Sequence, residues 1–567
     1  MSRRFVLPLA VLGSISLAAG LVPALAEAAT PAHGAAARSA TATASSSLAA
    51  KAGSAGVRML RAPVTTSHHL HESVTGATAN DPNPNLAAEF DSGDIGAFTF
   101  TFNASVSGYT TTTSGGLSAT VEWGDGTTSN YSDVSTSPSY SHQYGSTGVY
   151  SVTLIVSDGA GDAASSTWSG VQTEGSEYTP YPPTRILDTR KGIGAPESPL
   201  AAKGTLKLQV GNVPIPEPYG ITAVVLNVTA TKAAAGGFLS VYGDDDSGGT
   251  PVPLPQTSNL NFAPGKDVAN LVIVPVGSNG IVDFYNGAPG SVGVIADVQG
   301  YFSVTEVNKY VGVAPTRVLD TRKGIGTNVV AKIPANGNVT LTLPGAGKGV
   351  IPTAARLSAV ALNLTVTNPT SVGNITAYPA GETQPVTSNV NYVAGQTVAN
   401  SAIVPVGTKG QVVFHNNSTG SVDLIADATG YFTAGQVAGG NAYVPFSAPI
   451  RELDTRPGSL AYGTPTPFYP GYDNSATSAV YNATVTKPTS GSFLALYPYD
   501  PQTPNALPTT STLNFNANDT VANLAIVPIG TVPDTSFNPP AYEIAIYLNG
   551  KGTAQVILDL FGFFDDK

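Results

Sequence analysis

The chain has no cysteine in 567 residues, and only two methionines, two tryptophans and six histidines. Without cysteine there are no disulfide scaffolds, thiolate zinc sites or cysteine nucleophiles. Charge is also scarce: Asp, Glu, Lys and Arg make up 11% of the residues, where about 25% is usual. That composition excludes coiled coils, long helical bundles and charged disordered chains. Lys and Arg total 26 against 37 Asp and Glu, for a net charge of −11. Such a chain lacks the clustered cations that nucleic-acid phosphates require. Beyond the first 26 residues no apolar run is long enough to span a bilayer, so no membrane span is expected in the mature chain. A phosphate-cradling glycine loop of the nucleotide-binding kinds is absent too.

The histidines are His33, His68, His69, His71, His142 and His415. None recurs at equivalent positions, which excludes a repeated Ser-His-Asp triad or histidine metal site. His68, His69 and His71 read as a solvated polar cluster in a low-complexity segment.

What the chain does have is glycine (61), proline (44) and short apolar runs. Residues 1–26 place Arg3 and Arg4 before an apolar stretch that ends in Ala24-Leu25-Ala26, the pattern of a signal peptide. Secretion, with the mature protein extracellular and held at most by contacts with the cell wall, is the expectation. Residues 27–84, rich in Ala, Ser and Thr and without periodicity, read as a flexible tail. From residue 85 onward, runs of Val, Thr, Tyr and Phe alternate with Gly, Asn, Asp and Pro, an all-β signature.

Internal repetition is the strongest signal. PTRILDTRKGIG at Pro183 returns as PTRVLDTRKGIG at Pro315 and as PIRELDTRPG at Pro449. The spacing between Arg185, Arg317 and Arg451 is 132 and then 134 residues. In each copy the same landmarks follow in order: VLNVT, ALNLT, VYNAT; TSNLNF, TSNVNY, TSTLNF; DVAN, TVAN, TVAN; and IADVQGYF, IADATGYF, LDLFGFF. A period near 130 is too long for a solenoid or propeller blade, so each unit should carry its own core. About eight strands per unit predict tandem β-sandwiches, jelly-roll-like, over 176–306, 307–438 and 439–567. Around Asn227 the strand puts Val224, Leu226, Val228 and Ala230 on one face and Asn227 and Thr229 on the other. Pro275, Pro405 and Pro528 belong at strand ends, bulges or sheet edges.

Residues 85–175 form a separate unit. The runs Val121-Glu122-Trp123-Gly124-Asp125-Gly126-Thr127, Tyr140-Ser141-His142-Gln143-Tyr144 and Gly148 to Asp158 resemble the PKD domain, an immunoglobulin-like sandwich. The resemblance implies an extracellular module that contacts protein or carbohydrate, or spaces its neighbours. Trp123 and Trp168, the only tryptophans, are expected in its core. Residues 81–175 hold ten acidic residues and no Lys or Arg, so calcium is the one cofactor this domain is expected to attract. The three units resemble a repeat common in secreted actinobacterial proteins, which implies a β fold and export but no chemistry.

Two sets of recurring polar residues are candidates for function. Arg185, Asp188, Arg190 and Asp297, with Arg317, Asp320, Arg322 and Asp427, and Arg451, Asp454, Arg456 and Asp559, form an acid pair flanked by arginines in each unit. Acid pairs serve glycosidases, but an arginine beside an acid keeps it ionised, which suits a structural ion network better. Asn227, Asn261, Asn270, Asn363, Asn391, Asn400, Asn482, Asn514 and Asn523, beside Asn259, Asn389 and Thr512, could bind sugar hydroxyls or satisfy backbone groups. Asp244, Asp245 and Asp246 read as a solvated acidic loop. Together these features favour a non-catalytic, secreted binding or adhesion protein that engages extracellular polysaccharide or a cell-surface protein through its repeats. A structural spacer or surface-layer component is the first alternative, and a carboxylate-dependent glycan hydrolase the second.

Overall fold

In a computed structural model of the chain, the β-branched and aromatic runs become strands, most of them of three to thirteen residues, and no α-helix occurs among the described residues. The structure describes residues 58–61, 68–71 and 85–565, apart from short stretches of which 211–220, 245–252 and 533–541 are the longest. The expected signal peptide and most of the expected tail lie outside the described residues.

The first domain is a two-sheet sandwich. One sheet orders Arg58–Arg61, Ala87–Ile95, Thr99–Ser107 and Ser139–Gln143; the other orders His68–His71, Asp162–Thr173, Gly148–Ser157, Leu117–Glu122 and Thr128–Val134. Two short pieces of the segment expected to be a structureless tail thus pair with these sheets, Arg58–Arg61 along Ser92–Ile95 and His68–His71 along Asp162–Ser165. Composition missed them because an edge strand can be held by backbone hydrogen bonds, which any sequence can make. Trp123 and Trp168 are buried, and Trp168 meets Phe90 and Phe100 edge-on at 5.5 and 5.3 Å. The turn after Trp123 needs left-handed backbone at Gly124 and Gly126 (φ 83° and 88°). It is closed by the Trp123 N–H donating to the Thr127 carbonyl at 3.1 Å.

Each later unit folds as a sandwich of two antiparallel four-stranded sheets. In the first unit one sheet orders Glu177–Asp188, Gly293–Ser303, Ile221–Thr231 and Val268–Pro275. The other orders Thr205–Gln209, Ile281–Asn286, Gly237–Gly243 and Leu260–Phe262. In strand number this is 1-8-3-6 facing 2-7-4-5, a jelly roll, and the second unit repeats it. The third unit repeats it too, with an additional two-residue strand, Leu460–Ala461. Pro275, Pro405 and Pro528 end the sixth strand at the edge of its sheet, where a missing N–H costs no ladder bond.

The two sheets of a unit are not equivalent. In the 2-7-4-5 sheet the edge strand Thr205–Gln209 leaves Thr205, Lys207 and Gln209 exposed and buries Leu208. The third strand of the other sheet, Ile221–Thr231, is buried on both faces. Val224, Leu226, Val228 and Ala230 enter the unit's own core. The opposite face, with Ala223 and Val225, enters a second cluster shared by all three units.

Candidate functional site

The shared cluster is built from one recurring motif and one recurring tyrosine. In Gly-Tyr-Phe of the eighth strand, Tyr301 packs in its unit's own core while Phe302 points into the shared cluster. Phe302, Phe432 and Phe564 form a triangle with ring centroids 6.0 to 6.2 Å apart. Tyr178, Tyr310 and Tyr443, from the first strands, each sit between two of these rings. Tyr178 lies 4.3 Å from Phe432, Tyr310 4.1 Å from Phe564, and Tyr443 4.6 Å from Phe302. Each tyrosine therefore reaches the next unit in a cycle, and all six rings are fully buried. The motif glycine makes room: a Cβ on Gly300 would stand 2.3 Å from Tyr178, and one on Gly430 2.2 Å from Tyr310. Backbone bonds follow the same cycle, from Tyr178 N–H to Asn308 O, from Tyr310 N–H to Asn441 O, and between Ser176 and Tyr443 to close it.

Around this axis the recurring asparagines form three equivalent junctions. Asn400 donates from Nδ2 to Asn227 Oδ1 at 2.9 Å and accepts from the Leu271 N–H at 3.1 Å. Asn227 donates in turn to the Ser388 carbonyl. The second junction repeats this with Asn523, Asn363, Ser401 and Ser511. The third repeats it with Asn270, Asn482, Leu524 and Ser258. Each junction joins the LNVT asparagine of one unit to the VAN asparagine of the next.

The arginine and aspartate residues lie beside these junctions. Arg185 holds Asp297 with two bonds, Nε to Oδ1 at 2.8 Å and Nη2 to Oδ2 at 3.1 Å, and reaches Asp188 at 3.4 Å. Arg190 clamps Asp188 from Nε and Nη2 at 2.9 and 2.8 Å, and its backbone N–H adds a third bond at 3.0 Å. Arg317, Asp320, Arg322 and Asp427 reproduce the arrangement, as do Arg451, Asp454, Arg456 and Asp559. Arg185 and Arg317 also donate across the junction to Val386 O and Thr509 O. The backbone of Ser388, Ser511 and Ser258 bonds Asp297, Asp427 and Asp559 respectively.

Hydrogen bonds from Arg190 hold the Asp188 carboxyl below its ordinary value despite burial, and Arg456 does the same for Asp454. At Asp320 burial pushes upward, but the bonds from Arg322 outweigh it and the value is lowered. Burial pushes Asp297, Asp427 and Asp559 upward against the pull of Arg185, Arg317 and Arg451. One acid held ionised beside one pushed upward is the pairing that acid catalysis uses. Access decides against that use: Asp297, Asp427 and Asp559 are 1% exposed. The cavity that reaches Asp427 has a volume of about 20 Å³, room for one water and not for a sugar ring.

The reading of the asparagines as an open sugar pocket needs correction on the same ground. Asn227, Asn270, Asn363, Asn400, Asn482 and Asn523 are at most 4% exposed, and each uses both its amide N–H and its carbonyl on neighbouring groups. A ligand would have to displace a neighbouring unit. Asn261, Asn391 and Asn514 stay outside the junctions, partly exposed on the short fifth strands. Asn259 and Asn389 turn inward and accept from the backbone N–H of Val241 and Ala377, and Thr512 does so from Leu496.

Sequence reasoning missed Tyr178, Tyr310 and Tyr443 and the three serine positions opposite the asparagines. The signal was present, since the tyrosines recur at spacings of 132 and 133 residues. Among the described residues no group of three or more His, Asp or Glu is placed to hold a metal ion. Asp244 is buried and pairs with Lys207, while Asp245 and Asp246 lie outside the described residues. In the first domain Asp125 accepts from the N–H and hydroxyl of Thr127 at 2.9 and 2.6 Å. It also pairs with His142 at 2.8 Å, whose ring stacks on Trp123.

Residues 81–172 match the PKD domain family. No curated protein matches the chain. Among solved structures, it is similar to the atomic structure of Sulfolobus Turreted Icosahedral Virus at 9% identity, covering 69% of this chain and 90% of that one with a TM-score of 0.15. A structure described as the triple jelly roll fold and turret assembly in an archaeal virus gives 9% identity, 69% and 92% coverage and a TM-score of 0.14. Likenesses this distant say nothing about this chain's function.

Proposed function

We propose that the chain is a secreted, non-catalytic binding protein in which a PKD domain accompanies a rigid three-unit head that engages extracellular polysaccharide. The observation that carries this reading is the closed cycle of junctions. It fixes three jelly rolls around a common core and leaves the second strand of each 2-7-4-5 sheet partly exposed. Three linked, similarly placed surfaces multiply weak contacts to a repetitive partner. These sheets carry partly buried aromatic side chains of the kind that sugars pack on, such as Phe238 with Tyr285 in the first unit and Phe493 in the third. The PKD match supports an extracellular setting, and residues 1–26 supply the export signal. A spacer role is weaker, because units closed into a cycle add little length to a chain. Hydrolysis is weaker still, because the acid pairs are sealed by arginine.

The test is retention of the intact mature protein on insoluble cellulose, chitin, xylan and purified cell wall. Retention on at least one polysaccharide is expected. Retention on none of them, with capture only by cell-surface protein, would contradict the reading.

A further inference from the structure

The junction between the second and third units borders a groove with a volume of about 280 Å³. One wall is Ala314 and Pro315, from the first strand of the second unit; the other is the third-unit segment from Tyr497 to Thr510. The corresponding segments differ in all three units: sixteen positions separate Tyr242 from Ser258, ten Tyr378 from Ser388 and fourteen Tyr497 from Ser511, and Tyr499 stands where the other units have Asp244 and Ala380.

The lining has a definite chemistry. Tyr497 is 9% exposed, and its hydroxyl is buried without a hydrogen-bond partner. A buried hydroxyl left unpaired is unfavourable, and a hydrogen bond from a ligand would relieve that cost. Burial pushes the phenol up to about 12, so it remains a donor at neutral pH. Asp500 is the one charged residue of the lining, and both its oxygens are occupied, by the Gln502 N–H at 2.8 Å and the Thr503 hydroxyl at 3.0 Å. The groove therefore holds no cation for an anionic ligand, and its one carboxylate is already engaged by two groups of its own loop. What it offers is apolar surface from Tyr499, Pro498 and Leu507 next to hydroxyls at Thr509 and Thr510. A pyranose ring has the matching pattern, an apolar C–H face with hydroxyls around its edge.

Resting on the polysaccharide reading above, we propose that this groove is a subsite for a neutral oligosaccharide segment, present once per chain in spite of the threefold repetition.

Titration calorimetry of the intact mature protein with cellohexaose, chitohexaose and xylohexaose tests it. At least one is expected to bind with a stoichiometry of one. Tyr499→Ala should weaken that binding at least tenfold and Tyr497→Phe severalfold. Ala314→Trp should abolish it by filling the groove from the opposite wall, where the side chain is exposed and folding is undisturbed. A stoichiometry of three, unchanged affinity in both Tyr499→Ala and Ala314→Trp, or binding of decaproline in place of every sugar would overturn the proposal. If the protein is retained on a polysaccharide and Ala314→Trp is retained equally, the groove assignment fails and the broader function stands. If no polysaccharide retains the protein, both fail.

Discussion

Asn400 shows how much one side chain carries in this molecule. Its amide donates to Asn227 Oδ1 and to the Asn389 carbonyl, and its own oxygen accepts from Leu271, all in a buried setting. Asn400→Ala should destabilise the protein by about 2–4 kcal/mol in chemical denaturation, since more than one buried group would lose its partner. Two of these partners, Leu271 and Asn227, lie 129 and 173 residues away in the chain. That is why the sequence marks the asparagines as special without distinguishing a ligand pocket from a junction. The arginine and aspartate pattern is more legible, because two arginines flank the acid within six residues. Its pH signature has a definite sign. Asp188 has a lowered folded value, so its contribution is present above the unfolded value near 3.8 and is lost as pH falls through the folded one. Asp188→Asn should flatten stability against pH below about 4, measured by denaturation across that range. Asp297, whose value is raised, acts in the opposite direction: its contribution is present below the unfolded value and is lost as pH rises through the raised one.

Among the elements, the first and eighth strands define the axis. Gly300 has ordinary backbone angles, yet a Cβ there would collide with the Tyr178 ring. Gly300→Ala should cost roughly 1–3 kcal/mol through overpacking, seen as a lowered melting temperature. The all-β class and the strand count were readable from run length and turn residues. What the third strand does was only half readable. Alternation assigns Val224 and Leu226 to one face, but Ala223 and Val225 on the other are apolar too. A strand covered on both faces needs two covers, and one sandwich supplies only one. That mismatch is the signal in the sequence for a neighbouring unit. The pairing of Arg58–Arg61 and His68–His71 gave no such signal, because backbone hydrogen bonds of an edge strand do not depend on residue type.

At the scale of the whole molecule, three units that each have a core also share a fourth. Removing one unit would bare Tyr, Phe, Val and Ile side chains of the other two. A chain ending at residue 434 is therefore expected to aggregate or to lose cooperative melting, which calorimetry would register. The central claim is that the repeats stand or fall together. It is tested most directly by hydrogen exchange on the intact protein and its Phe432→Ala variant, a truncation expected to cost about 3–5 kcal/mol. Reduced protection is expected in Ile221–Thr231, Leu357–Thr367 and Ala476–Thr486 alike, with Leu117–Glu122 of the first domain unchanged. Loss of protection confined to the second unit would contradict it.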